Sequence, residues 1–317
     1  MVLFVTGVNG QLGHDVMNEL ARRGYEGVGS DLLEGYSGIQ DMTPVCSMPY
    51  VSMDITNQSE VKAVINKVSP DVVIHCAAWT AVDAAEDEDK KDQVYQVNVI
   101  GTKNIARACK ELDCKMVYLS TDYVFDGQGS EPWRPDDSNY HPINFYGTTK
   151  LLGEQEIRQA LEQFFILRIS WVFGNNGKNF IKTMLQVGKR HSEIKVVHDQ
   201  IGTPTYTFDL ARLIIDMAET DRYGYYHVTN EGGYISWYEF TKEIFRQAVR
   251  LGRIEYSDEV ITVTPVTSQE YGLSKASRPA NSMLDKSKLI EQGFTPLPDW
   301  KDAVSRYLAD VLPTIDE

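Results

Sequence analysis

The chain has 317 residues, 24% charged and 42% hydrophobic, with a formal net charge of −14 at pH 7. This length exceeds one typical domain of roughly 150 residues, so one large domain plus a smaller one is expected, with a sizeable core and no wholesale disorder. The negative charge disfavours nucleic acid and anionic membranes as partners, so an anionic ligand would have to be held locally by backbone amides and a few basic side chains.

The start, MVLFVTG, is strand-like and lacks the charged region and long apolar stretch of a secretory signal. No uninterrupted apolar run approaches the ~18 residues of a membrane span, so a cytoplasmic protein is expected. Cys46, Cys76, Cys109 and Cys114 form no CxxC pair and read as free thiols in a reducing compartment.

Residues 2–23, VLFVTGVNGQLGHDVMNELARR, read as a strand, a glycine loop and an amphipathic helix. Gly7, Gly10 and Gly13 are spaced GxxGxxG, which permits a tight turn and lets a pyrophosphate approach the backbone at a helix N-terminus. Asn9, Gln11 and Leu12 belong to the same cofactor-binding loop. Asp31 ends a second short strand 18 residues past Gly13, where a carboxylate can accept hydrogen bonds from an adenosine ribose. Residues 32–49 contain several turn signals and little periodicity, and read as an excursion over the surface. Asp54 and Ile55 are placed to flank an adenine; the alternative for Asp54 is a cap on the helix opening near Asn57.

The unbroken apolar run 72–75 reads as a buried parallel strand, and the small residues Cys76, Ala77 and Ala78 at its end would let a cofactor lie against the backbone. A long amphipathic helix is expected over 94–112, with Asn98 either near the cofactor or making only a structural hydrogen bond. Further apolar strands are expected at 115–119, 164–169 and 225–228, and helices at 208–218 and from Trp237 to about 251. The half after residue 170 lacks a regular strand–helix rhythm, which suits a substrate-holding lobe.

The chemistry is placed in residues 120–154. Tyr146 and Lys150 stand four apart in YGTTK and share one helical face, where the ammonium is expected to lower the phenol from its ordinary pKa of ~10. Ser120 and Thr121 end the 115–119 strand, on the sheet edge where open α/β folds bind ligands. The six histidines show no HExxH or other metal spacing, so no metal is expected, and GxSxG is absent.

With the glycine loop, Asp31, Thr121, Tyr146 and Lys150 in that order, the chain resembles the extended short-chain dehydrogenase/reductase superfamily. GQLG at 10–13, TAVDAAE at 80–86, STDYVFDG at 120–127, RISWVFG at 168–174, GKNF at 177–180, VVHDQIGTPT at 196–205 and RPANSMLD at 278–285 narrow the likeness to its dTDP-4-dehydrorhamnose reductase branch. Residues 32–49 and the tail after Tyr307 depart from that pattern. The resemblance implies a Rossmann-type doubly wound parallel sheet in residues 1–170, with returns from about 193–220, and a smaller C-terminal α/β substrate-binding lobe mainly in 171–317. It implies reduction of the C4 ketone of a nucleotide sugar, with Tyr146 as proton donor, Lys150 on the phenol and the nicotinamide ribose, and Thr121 on the ketone or the Tyr oxygen. Thr80 would line both cofactor and sugar; Val82, Asp83 and Asp122 would lie at the sugar, Trp171 would pack over it, and Asn179 and Arg278 would meet the nucleotide. Asp31 would repel the 2′-phosphate of NADPH and no Arg follows it, whereas related reductases accept both cofactors, so NADPH or NADH is expected. The acidic surface fits a monomer or a homodimer. Other readings are an epimerase or dehydratase of the same superfamily, though Asp122 is followed by Tyr123 rather than a second carboxylate, and a non-catalytic subunit like the regulatory subunit of methionine adenosyltransferase.

Overall fold

A computed structural model describes residues 1–315 of the protein. Seven parallel strands form its central sheet: β1 (Val2–Thr6), β2 (Glu26–Asp31), β3 (Tyr50–Ser52), β4 (Val72–His75), β5 (Lys115–Thr121), β6 (Phe164–Ile169) and an edge strand, Gly224–His227. From the other edge the order runs β3, β2, β1, β4, β5, β6, Gly224–His227, so the chain reverses direction beside β1 and β4. β1, β4, β5 and β6 are largely apolar without alternation because both faces are covered. Leu3, Val5, Ile74 and Val117 face α1 (Gln11–Arg23) and α7 (Thr207–Ala218), burying Val16, Leu20, Leu210 and Ile214. Phe4, Val73, Met116 and Ile166 face α2 (Gln58–Val68), α4 (Thr102–Leu112) and α5 (Phe145–Ala160), burying Ile65, Ile105 and Ile157.

A second core lies in the C-terminal half, where α6 (Phe180–Gly188), α8 (Trp237–Arg250) and the helix Trp300–Val311 pack Leu185, Phe240, Ile244, Trp300 and Tyr307 together. The returns expected over 193–220 divide differently. Glu193–Val197 pairs with Thr262–Val266 in a small separate sheet, whereas the chain rejoins the central sheet at Gly224–His227, which pairs with β6. Apolar character alone does not say which sheet a strand joins.

The helix expected over 94–112 is interrupted. It opens as α3 (Lys91–Tyr95), widens into a π-helical stretch at Gln96–Gly101, and continues as α4. Such wide turns concentrate at functional sites, and Asn98 lies within this one.

Beneath α5 lies a buried ion pair. Arg168 on β6, fully inaccessible to solvent, donates from Nε to Glu154 Oε1 at 3.0 Å and from Nη2 to Glu154 Oε2 at 2.8 Å. Its Nη2 also donates to the Tyr140 hydroxyl at 2.9 Å, Nη1 donates to the Pro135 carbonyl at 3.3 Å, and Ser120 donates to Glu154 at 2.5 Å. The rings of Phe125, Tyr140 and Tyr225 surround the guanidinium. Removing one member strands a buried charge, so Arg168→Met should destabilise the protein by about 3–5 kcal/mol, read as a lower urea midpoint. Arg168→Met combined with Glu154→Leu should lose less than the sum of the two single changes.

Candidate functional site

A cleft of about 720 Å³ lies along the carboxyl ends of the central strands, where the reversal of strand order opens a crevice. Gly7, Gly10, Gln11, Leu12 and Gly13 line its floor. Gly7 has φ +73°, and a Cβ there would stand 2.5 Å from the Ala77 amide nitrogen, so the glycine loop and the turn after β4 meet backbone to backbone. The N-cap of α1 is Gly10, with no side-chain cap and no acidic residue in the first turn. An uncapped first turn leaves amides and the positive end of the helix dipole for an anion.

Asp31 lies at the cleft's edge, its Oδ2 accepting the Asn9 N–H at 3.0 Å and its Oδ1 the Leu32 N–H at 2.8 Å. Asn9 itself is off the cleft: its Oδ1 accepts the Ser37 N–H at 2.8 Å and its carbonyl the Asn176 side chain at 2.8 Å. Residues 32–49, expected to run over the surface, are therefore tied to this loop and to α1. Tyr36 hydrogen-bonds His14 at 2.6 Å, and the Val45 N–H donates to Asn18 at 2.9 Å.

Asp54 and Ile55 line the cleft beside Cys76, Ala77, Ala78, Thr80 and Val82. The cap of α2 is Asn57, while Asp54 accepts from the Thr56 N–H at 2.9 Å. Four other residues expected at the site do not line the cleft. Asn98 is fully buried: its Oδ1 accepts the Trp79 N–H at 2.8 Å and its Nδ2 donates to the Trp79 carbonyl and to Thr149. It thereby fixes the turn that does line the cleft. Asn179 caps α6 and spends its Nδ2 on Gln11, Gly174 and Tyr307. Arg278 makes a two-pronged pair with Asp83, at 3.0 and 2.7 Å, and Asp83 also accepts the Lys275 and Ala276 amides. That pair clasps the C-terminal segment over the turn after β4.

Tyr146, Lys150, Thr121 and Asp122 do converge on the cleft. Asn144 caps α5 by accepting the Gly147 N–H at 2.7 Å, and Glu86 accepts the Phe145 N–H at 2.7 Å, so a carboxylate also complements the helix start. Gly147 is required by proximity, because a Cβ there would come within 2.2 Å of the Tyr123 carbonyl. Lys150 is almost fully buried, with its Nζ 4.1 Å from the Tyr118 ring centroid and no hydrogen-bond acceptor among the described residues. Burial lowers its amine to about 7, against the opposing charge of Glu154.

The expected depression of the Tyr146 phenol by Lys150 is not what the geometry gives. Burial first, and the charge of Asp122 second, raise Tyr146 well above its ordinary value, opposed by the Thr121 hydroxyl. Burial outweighs the cation because it also strips the amine of much of its own charge near neutral pH.

Trp171 forms one wall, stacked on Trp237 at 3.7 Å between ring centroids and 17° between planes. Its φ of +51° is left-handed, a conformation that costs a bulky residue about 1–3 kcal/mol. Sequence reasoning did not single out Trp237, Trp79 or Lys178 as cleft residues. Trp237 begins a helix of the other lobe and Trp79 lies in an irregular turn, so no periodic signal marks either. Lys178 sits within GKNF, where a lone basic residue in an acidic chain was the available sign.

Residues 1–312 match the family described as RmlD substrate binding domain. The chain belongs to that family. It is 38% identical over 315 residues to a dTDP-4-dehydrorhamnose reductase of Aggregatibacter actinomycetemcomitans, covering 97% of this chain and 98% of the relative. It is 37% identical over 308 residues to the spore coat polysaccharide biosynthesis protein SpsK of Bacillus subtilis, covering 97% of each. The structure of dTDP-4-dehydrorhamnose reductase from Bacillus anthracis in complex with NADP superposes with a TM-score of 0.84 at 38% identity, over 98% of this chain and 99% of that one. Among the described residues no helix is long and apolar enough to cross a membrane.

Proposed function

We propose that this member of the RmlD family is an oxidoreductase that reduces the C4 ketone of dTDP-4-dehydro-L-rhamnose to dTDP-L-rhamnose with NADPH or NADH. The observation that carries the reading is one continuous cleft that joins an uncapped glycine-loop helix to Tyr146, Lys150 and Thr121. Relatives at 37–38% identity over nearly the whole chain support it, since one is named for that reductase and another for polysaccharide synthesis.

The residues present fit a nicotinamide dinucleotide. The Gly7–Ala77 approach leaves room for a flat ligand along the strand ends, the first turn of α1 offers amides to a pyrophosphate, and Lys150 holds an amine with no protein acceptor for ribose hydroxyls. That group, when bound, supplies the hydride. Tyr146 holds the proton the carbonyl oxygen requires as negative charge develops on it, and its raised pKa keeps that proton in place through neutral pH. Trp171 and Trp237 form an apolar wall that excludes water from the sugar. Asp83 and Arg278, paired with each other, support the turn carrying Val82 rather than facing the cleft.

Purified protein should consume the absorbance of the reduced cofactor when dTDP-4-dehydro-L-rhamnose is added; cofactor binding without turnover would instead favour a non-catalytic subunit. Tyr146→Phe should keep cofactor affinity and lose roughly 10²–10⁴-fold in turnover. With Tyr146 raised, parent turnover should stay level through neutral pH and decline only in the alkaline range, where the acid form is lost.

Asp31→Asn removes the charge facing a 2′-phosphate, so the ratio of kcat/KM for NADPH to that for NADH should rise. It also leaves one of the Asn9 and Leu32 amides without its acceptor, at about 1 kcal/mol of stability. An unchanged ratio would mean that Asp31 serves the glycine loop alone.

Lys150 gives a readout independent of turnover. With an amine at about 7 in the free protein, most of it is neutral at pH 8, and donating hydrogen bonds to the ribose hydroxyls favours its charged form and raises it. Cofactor binding at pH 8 should therefore take up a proton, seen by calorimetry in buffers of differing ionisation enthalpy, and Lys150→Met should abolish the uptake.

A further inference from the structure

Thr121 has a single hydroxyl proton, and the structure spends it away from the reacting centre. Thr121 Oγ1 donates to Asp122 Oδ1 at 3.0 Å, and the same oxygen accepts the Tyr123 N–H at 3.2 Å. The Thr121 hydroxyl therefore lowers the Tyr146 phenol only as far as the proton it gives Asp122 can be shared. Asp122 is 3% exposed, lines the cleft, and its Oδ2 is buried without a hydrogen-bond partner among the described residues.

We infer that Asp122 is a positioning residue that claims the Thr121 proton and so holds Tyr146 in its acid form, biasing the site towards ketone reduction and against alcohol oxidation. A hydroxyl free to donate would stabilise a phenolate; one that also donates to a carboxylate stabilises it less. Reduction starts from the phenol, whose O–H bond breaks as the new alcohol O–H forms while the carbon receives hydride. Oxidation reverses this and starts from the phenolate, which Asp122 disfavours twice, through the lost donor and through its own charge.

The other groups facing Tyr146 do not offset this. From α5, Lys150 is largely neutral above pH 7, and Glu154 is negative and bound to Arg168. From β5 and the turn after it, Tyr118 and Tyr123 are both raised, chiefly by burial. From the end of β4, burial keeps His75 neutral, with a pKa lowered to about 3, and keeps the Cys76 thiol protonated, raised to about 12. From the C-terminal segment, the Arg278 charge is paired with Asp83. Asp122 is itself raised to about 6, by burial against the hydrogen bonds of Ser282 and Thr121, so it is predominantly a carboxylate at neutral pH and above.

The kinetic arm of the test rests on the reductase reading; a spectroscopic arm does not. Tyrosinate absorbance, taken as the difference between the protein and its Tyr146→Phe variant, reports the ionisation of Tyr146 without substrate. In Asp122→Asn its midpoint should fall by about one pH unit or more, a tenfold gain in phenolate fraction at a given pH below the midpoint. Asp122→Ser supplies a second neutral side chain should the amide fail to fold. With dTDP-L-rhamnose and oxidised cofactor, the oxidation rate at pH 7 should rise severalfold, and the alkaline decline of reduction should move down by the same interval. A Tyr146 midpoint unchanged in both folded variants would overturn the inference. A shifted midpoint with no turnover in either direction would uphold the role of Asp122 and sink the reductase assignment instead.

Discussion

The pair between Arg168 and Glu154 is the constraint on which the site's geometry rests. Glu154 lies one helical turn beyond Lys150, as Lys150 lies one turn beyond Tyr146, so a fixed Glu154 sets the rotation of α5 about its own axis. Because Arg168 comes from β6 and Ser120 from the end of β5, the same carboxylate reports the positions of both strands to the helix. A hydrophobic contact would have allowed α5 to slide or roll by a fraction of a turn. A two-pronged ionic contact, enclosed by three rings, specifies one orientation at the cost of burying two charges, a cost offset by Tyr140, Pro135 and Ser120 satisfying the remaining valences.

Around that frame the cleft separates its tasks by dielectric. The glycine-loop end is lined by backbone and small residues and can meet a charged ligand with amide dipoles alone. The other end is lined by Tyr123, Trp171 and Trp237, and there burial pushes three groups towards their neutral forms: the Lys150 amine downwards, the Tyr146 phenol and Asp122 carboxyl upwards. A site that weakens its own charges avoids permanent ion pairs, which suits a reaction in which charge on oxygen is only transient.

Much of this was legible in the sequence where the physics is local. The strand–glycine loop–helix opening, the buried runs at Val72–His75 and Phe164–Ile169, and the helical register of Tyr146 and Lys150 follow from spacing and from apolar character on both faces of a covered sheet. What was not legible depends on partners distant in the chain. Asn98 was expected near the cofactor and Asn179 at the substrate's nucleotide, yet their amides are consumed by the Trp79 backbone and by Gln11, Gly174 and Tyr307. The spacing of Tyr146 and Lys150 shows an i, i+4 cation but not the burial that weakens it, so the direction of the Tyr146 shift is not legible from spacing. Trp237 carries no local signal, because its stacking on Trp171 joins residues 66 positions apart. Residues 32–49 carry no periodicity because side chains of α1, the glycine loop and Asn176, not a sheet, hold them.

The edge strand Gly224–His227 has a consequence for how the chain comes off the ribosome. β6, FFILRI, borders β5 on one side, and its other side stays unpaired until residues more than fifty positions later have been made. An apolar strand with a bare hydrogen-bonding edge is a template for association with other chains. The interval between the synthesis of β6 and that of Gly224–His227 is therefore when the nascent chain is most exposed to misassembly. Fragments that end near residue 170 would hold six of the seven strands and retain that open edge permanently.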